Sequence, residues 1–180
     1  HTDSVSSCHT DYNTTAQIAG FIVRYAEPDS EVFKLGLRIV KEAIEALSPS
    51  DLKDMHTCSC YVQMKDYVEK AGLTDAVAYQ ELSSKLREAV NRLIEKDVAK
   101  WEYYVCNPSV FIKSQNSEYY CDNSEVAEYQ CDYIIEKQLL DGSWYINWNW
   151  EDYPNEWAVS KNWWKGQVII ENLLYLKGFG

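Results

Sequence analysis

The sequence predicts an all-α protein, and three observations carry that prediction. Apolar residues recur at three- and four-residue steps over most of the chain. Caps and breakers stand between these stretches, and short loops join them without a low-complexity segment or linker. With 180 residues, 46% of them hydrophobic and 25% charged, the chain suits one domain spanning 1–180 with a buried core. Five or six helices packed as hairpins are expected.

Residues 12–26 place Ile18, Phe21, Ile22 and Tyr25 at helical spacing, with Asn13 or Thr14 as caps. Glu27-Pro28-Asp29 ends that helix, and Asp29 or Ser30 caps the next, whose stripe is Phe33, Gly36, Leu37, Val40, Ile44 and Leu47. Ser48-Pro49-Ser50-Asp51 reads as a helix start, with a Ser cap, Pro at the first helical position and an acid at the third. Leu52, Met55, Cys58, Val62 and Val68 then repeat until Gly72 stops the helix. Thr74-Asp75 is expected to open the longest helix, with Tyr79, Leu82, Leu86, Val90, Leu93, Ile94, Val98 and Trp101 on one stripe. Residues 103–122 break the pattern, with Pro108, Asn116 and Ser117 marking an ordered loop or short extended pieces. A helix from Asn123 or Ser124 carries Val126, Tyr133 and Ile134 and runs to Gly142. A last one spans from about Ser160 to Gly178.

The chain holds 17 basic and 28 acidic residues, a formal net charge of −11. Residues 1–90 have nine basic against 14 acidic residues, and residues 91–180 have eight against 14, so the acidity is diffuse. Such a field repels phosphate backbones, and no basic patch offsets it, so nucleic acid is not an expected partner. No apolar run approaches a membrane span. The start at His1, with neither Met nor a signal-like segment, leads us to expect a processed or cloned fragment with sequence upstream. Six cysteines, of which Cys58 and Cys60 are too close to bond each other easily, read as buried thiols in a reducing cytosol. The sequon at Asn13-Thr14-Thr15 is a chance-level match.

Rings are unevenly spread. Of 25 Phe, Trp and Tyr residues, seven precede residue 91, and six of the seven Trp lie between Trp144 and Trp164. That stretch follows Gln138-Leu139-Leu140-Asp141-Gly142-Ser143-Trp144, a helix end with a left-handed Gly cap and a returning Trp. The pattern Gln-x-x-x-Gly-x-Trp resembles the QW repeat of squalene–hopene cyclases and the related prenyltransferases. Trp163-Trp164-Lys165-Gly166 resembles the Lys/Arg-Gly opening of such a repeat. The runs NTTAQIAGFIVRYA and DMHTCSCYVQMKDYVEKAG are similar to bacterial proteins of this toroid type that have no assigned activity. The resemblance implies an α/α toroid in which QW repeats join helices, with Gln stacked on Trp. The superfamily's catalytic motifs are missing here: neither Asp-x-Asp-Asp, Asp-Asp-x-x-Asp nor Asp-x-Cys occurs. A full toroid also needs about twice as many helices as this chain supplies. The resemblance therefore implies an incomplete toroid, its C-terminal part or a shortened form closed by a partner. The missing N-terminal part or another copy of the chain would fill that role.

Three groups of residues suggest chemistry. His56-x-Cys58-x-Cys60 would present three zinc ligands on a strand, but on a helix Cys58 sits about 200° around from His56. A site on His56 and Cys60 would need Cys8, His9 or Asp11 as well, so no metal or other cofactor is expected. Cys8-His9-Thr10-Asp11 gathers groups able to do acid–base work. Its other reading is a polar segment of caps and turns before a helix. If the protein is an enzyme, His9, Asp11 and His56 are the catalytic candidates. The third group is the segment 144–164. Trp144 should pack at the repeat junction, while Trp148, Trp150 and Trp157 with Glu151 are candidate ligand contacts. Trp148 and Trp150 share one side of an extended piece. Rings beside amides and carboxylates suit a sugar-like ligand, and rings alone suit an apolar or cationic one. The same rings also suit a structural loop over helix ends or an assembly surface for another chain.

Overall fold

A computed structural model describes residues 12–48 and 50–180. Among them lie six helices and no strand: α1 (Asn13–Tyr25), α2 (Glu31–Ala46), α3 (Met55–Lys70), α4 (Tyr79–Leu93), α5 (Ser124–Glu136) and α6 (Pro154–Phe179). Short 3-10 turns stand at Thr74–Ala76, Val98–Lys100 and Pro108–Val110. No described helix is long and apolar enough to cross a membrane. The chain forms two compact units that divide within α4, the first reaching Ala89 and the second running from Val90 to Gly180.

In the first unit α1 packs against both α2 and α3. Its buried face is Ala16, Ala19, Gly20 and Val23, whereas Ile18, Phe21 and Tyr25 of the expected stripe are exposed. Close approach decides this. A Cβ on Gly20 would stand 2.8 Å from the Met64 backbone of α3, so only a face of small residues lets the two helices meet. Gly36 of α2 does the same against Ile22, where a Cβ would lie 2.6 Å from Cγ2. Neither Asn13 nor Thr14 is the cap of α1; Tyr12 holds that position without a side-chain capping bond.

Ser30 caps α2, its Oγ accepting from the Phe33 N–H at 3.2 Å, while Asp29 turns the chain at φ +65°. Lys85 Nζ donates to the Leu47 carbonyl at the other end of that helix. The expected helix start at Ser48 is instead a turn, in which the Ser48 N–H donates to Asp51 Oδ2 at 2.8 Å. The true cap is Asp54, whose Oδ1 accepts from the N–H groups of His56 and Thr57, each at 2.9 Å. Gly72 does stop α3. At φ +70° it donates to the Glu69 carbonyl, and Leu73 N–H reaches back to Val68, the paired bonds of a Schellman end.

Helix α4 buries Leu82, Leu86, Ala89 and Val90, but it ends at Leu93 and does not continue to Trp101. The chain turns because other partners take its backbone: Glu95 N–H donates to the Cys106 carbonyl, and Trp101 Nε1 donates to the Glu95 carbonyl. In the second unit, residues 103–122 form the expected irregular segment. Gln130 of α5 fastens it by accepting from the Ser109 N–H at 2.7 Å and donating to Ser109 Oγ at 2.9 Å. The longest helix is α6, which starts at Pro154 and not near Ser160. Tyr175 Oη ties it to α5 through the Ala127 carbonyl at 2.7 Å.

Candidate functional site

The Gln138–Trp144 junction builds the base of the aromatic region. Helix α5 ends at Glu136, before the Gly142 end read from the sequence, and the chain reverses through Gly142 at φ +80°. Leu139 N–H donates to the Ser143 carbonyl and Gly142 N–H to the Leu139 carbonyl, both at 2.8 Å. Gln138 Nε2 donates to the Gly142 carbonyl, so the glutamine closes its own turn. Trp144 is buried against Ile134 and Tyr175, and its Nε1 donates to the Ile134 carbonyl at 2.7 Å. Asp141 accepts from the N–H and Oγ of Ser143 and pairs with Lys165 of α6 at 3.6 Å. The Ser143 hydrogen bonds, with Lys165 nearby, hold its carboxyl below the ordinary range.

Beyond this base the rings pair with one another. Trp148 stands edge-on to Tyr104 at 5.9 Å and to Trp164 at 5.6 Å. Asn147 Nδ2 fixes the same stretch to the Tyr103 carbonyl. Trp150 joins a different partner, Trp157, at 5.5 Å and an interplanar angle of 50°. Trp148 and Trp150 therefore belong to two ring groups, the first set by Tyr104, 44 residues away, and by Trp164. Trp148 and Trp157 are half-buried and Trp150 is 38% exposed. Glu151, the residue after Trp150, is exposed, and so are Asn149, Asp152 and Asn155.

The remaining sequence candidates lie elsewhere. His9 and Asp11, with Cys8, fall outside the described residues. His56 is exposed in the first turn of α3, where its N–H meets the Asp54 carboxylate. Burial opposes ionisation of Asp54, but hydrogen bonds from Thr57 and His56 outweigh it and hold the carboxyl low. Cys58 is buried in the core, and Cys60 lies at the α1–α3 seam, its thiol 3.0 Å from Asn13 Oδ1. Cys58 thus points away from His56 and into the core, as its position about 200° around the helix requires. Among the described residues no three His, Cys, Asp or Glu side chains are gathered to hold a metal.

One feature of the second unit escaped the sequence reading: an open hollow of about 240 Å³ lined by Val98, Ala99, Glu102, Tyr129, Tyr133, Glu136 and Lys137. Trp101 forms its buried support, edge-on to Tyr133 at 5.1 Å. Lys137 spans it, pairing with Glu102 at 3.1 Å and lying over the Tyr133 ring. Only the i, i+4 spacing of Tyr129, Tyr133 and Lys137 signalled it in advance. Comparison of the chain with known protein families, with curated proteins and with solved structures gives no match.

Proposed function

We propose that this chain is a binding module built from helical hairpins of the α/α-toroid type, and that the Trp150–Trp157 wedge is its ligand-contacting surface. The likeness to the terpenoid cyclase and prenyltransferase superfamily is supported at one junction. There Gln138, a left-handed Gly142 and a buried Trp144 close the turn after α5. Cys106, Cys121 and Cys131 are thiols, which suits a reducing, cytoplasmic setting.

The observation that carries the binding reading is the ring pair itself. Two indoles 5.5 Å apart and tilted by 50° form an open wedge, and Trp150 keeps 38% of its surface exposed. Asn149, Glu151, Asp152 and Asn155, exposed in the same stretch of chain, bring amides and carboxylates to it. An exposed indole face offers C–H stacking, and nearby polar side chains offer hydrogen bonds, which fits a sugar-like ligand better than a bare hydrocarbon. Tryptophan emission, titrated with neutral mono- and oligosaccharides and with a prenyl alcohol, tests this. A saccharide should shift the emission, and Trp150→Ala should weaken its binding at least about tenfold while helical circular dichroism stays unchanged. Response to the prenyl alcohol alone, or to nothing in the panel, overturns the sugar reading.

A further inference from the structure

Helix α6 is apolar on two faces. One face, with Val168, Ile169, Tyr175, Leu176 and Phe179, packs into its own unit. A second face presents Val159, Trp163, Ile170, Leu173 and Leu174 to solvent, exposed by 61%, 76%, 55%, 52% and 60% respectively. Together with Gly166 these residues step along the helix by three or four positions, the spacing of a helix-pairing seam. Helical geometry sets this face roughly opposite the Trp157 ring, so it is separate from the proposed ligand surface.

The order of residues on the stripe specifies its occupant. We propose that α6 pairs antiparallel with α6 of a second copy of this chain, across a two-fold axis at the middle of the helix beside Gly166. In an isologous pair, residue i meets j while j meets i. Centring α6 (Pro154–Phe179) on its own midpoint sets Trp163 against Ile170, Val159 against Leu174, and Glu156 against Lys177. Large side chains then oppose apolar ones, and each end of the pair gains a match of opposite charge. The parallel arrangement would bring Glu156 onto Glu156 and Lys177 onto Lys177, which repel.

Gly166 supplies an independent observation. A glycine inside a helix costs stability relative to alanine, and no close approach among the described residues offsets that cost, because a Cβ built there meets nothing within 4 Å. At the crossing point of two helices the missing side chain lets the backbones approach. The size also fits: the five exposed side chains present on the order of 600 Å², most of the roughly 800 Å² per partner that a standard interface buries.

Sedimentation equilibrium of the intact chain, from about 1 to 100 μM, tests the pairing, those concentrations bracketing ordinary protein association. The expected species is a dimer. Ile170→Glu should leave a monomer with unchanged helical circular dichroism. Glu156→Lys and Lys177→Glu should each weaken association about tenfold or more, and the two exchanges combined should restore most of it. Gly166→Leu should weaken association without lowering the melting temperature of the monomer. A wild-type monomer across the range overturns the proposal, as does a dimer indifferent to Ile170→Glu. Failure of the double exchange to restore association overturns the antiparallel register. That readout stays decisive even if Ile170→Glu does not fold, since Glu156 and Lys177 are exposed. A monomer that co-sediments with phosphatidylcholine vesicles would instead assign the stripe to a lipid surface and overturn the dimer.

Discussion

Trp144 Nε1 donates a 2.7 Å hydrogen bond to the carbonyl of Ile134, the residue against which the same indole packs. One side chain thus satisfies a carbonyl at the end of α5 and fills the space between α5 and α6. Helix ends leave carbonyls without intrahelical partners, so a buried donor there is needed as well as a buried ring. Trp144→Ala should therefore lower stability by about 3–5 kcal/mol, measured by urea unfolding. Trp144→Phe keeps most of the volume and should cost about 1–3 kcal/mol through the orphaned carbonyl. A negligible loss from Trp144→Phe would remove the hydrogen bond from the account.

The α1–α3 seam gives a second expectation. A methyl on Gly20 would lie 2.8 Å from the backbone of Met64, which cannot rotate away as a side-chain tip can. Gly20→Ala should destabilise the protein by about 1–3 kcal/mol despite alanine's better helix propensity. A stabilised variant would mean that the helices part without cost.

Helix α3 begins at Asp54, not at Ser48. Asp54→Ala should cost about 1 kcal/mol, and Ser48→Ala should change stability by less than about 0.5 kcal/mol. The folded Asp54 carboxyl titrates below its ordinary value of 3.8, so its contribution is complete above that pH and is lost as the pH falls through the lower, folded value. Acid titration of wild type and Asp54→Ala should show their stabilities converging below about pH 3.8. Parallel curves would argue against the cap.

Burial pushes the Cys106 thiol up to about 12. The folded state then keeps its proton after the unfolded chain has lost it. Stability assigned to this group is complete below about pH 9 and falls as the pH rises from there towards 12. Alkylation of the native protein by iodoacetamide at pH 8 should mark exposed Cys121 and spare Cys106 until the chain unfolds. Equal labelling, read by peptide mass spectrometry, would contradict the buried environment.

Several elements were legible because their causes are local. The stop at Gly72 needs only a residue that tolerates positive φ, and the Ser30 cap needs only an oxygen near the Phe33 N–H. The turn at Gly142 and the return of Trp144 likewise lie within a few residues of one another. The buried face of α1 was not legible. Helical spacing marks Ile18, Phe21 and Tyr25 as strongly as Ala16, Gly20 and Val23, and the choice rests with Met64, more than forty residues away. The ring partners of the candidate site escaped for the same reason: Tyr104 and Trp164 separate Trp148 from Trp150 by contacts that no local period records.

By itself, the sequence determined that this is an all-helical protein, that its acidity is spread over the chain, and that its rings concentrate after residue 143. Composition and short-range geometry suffice for such properties, since each depends on residues within one or two helical turns. Only the tertiary structure decided which side of α1 is buried, which tryptophans face one another, and that α6 keeps a second apolar face uncovered. A helix offers several faces to its neighbours, and close packing selects among them by the size of the side chains that must meet.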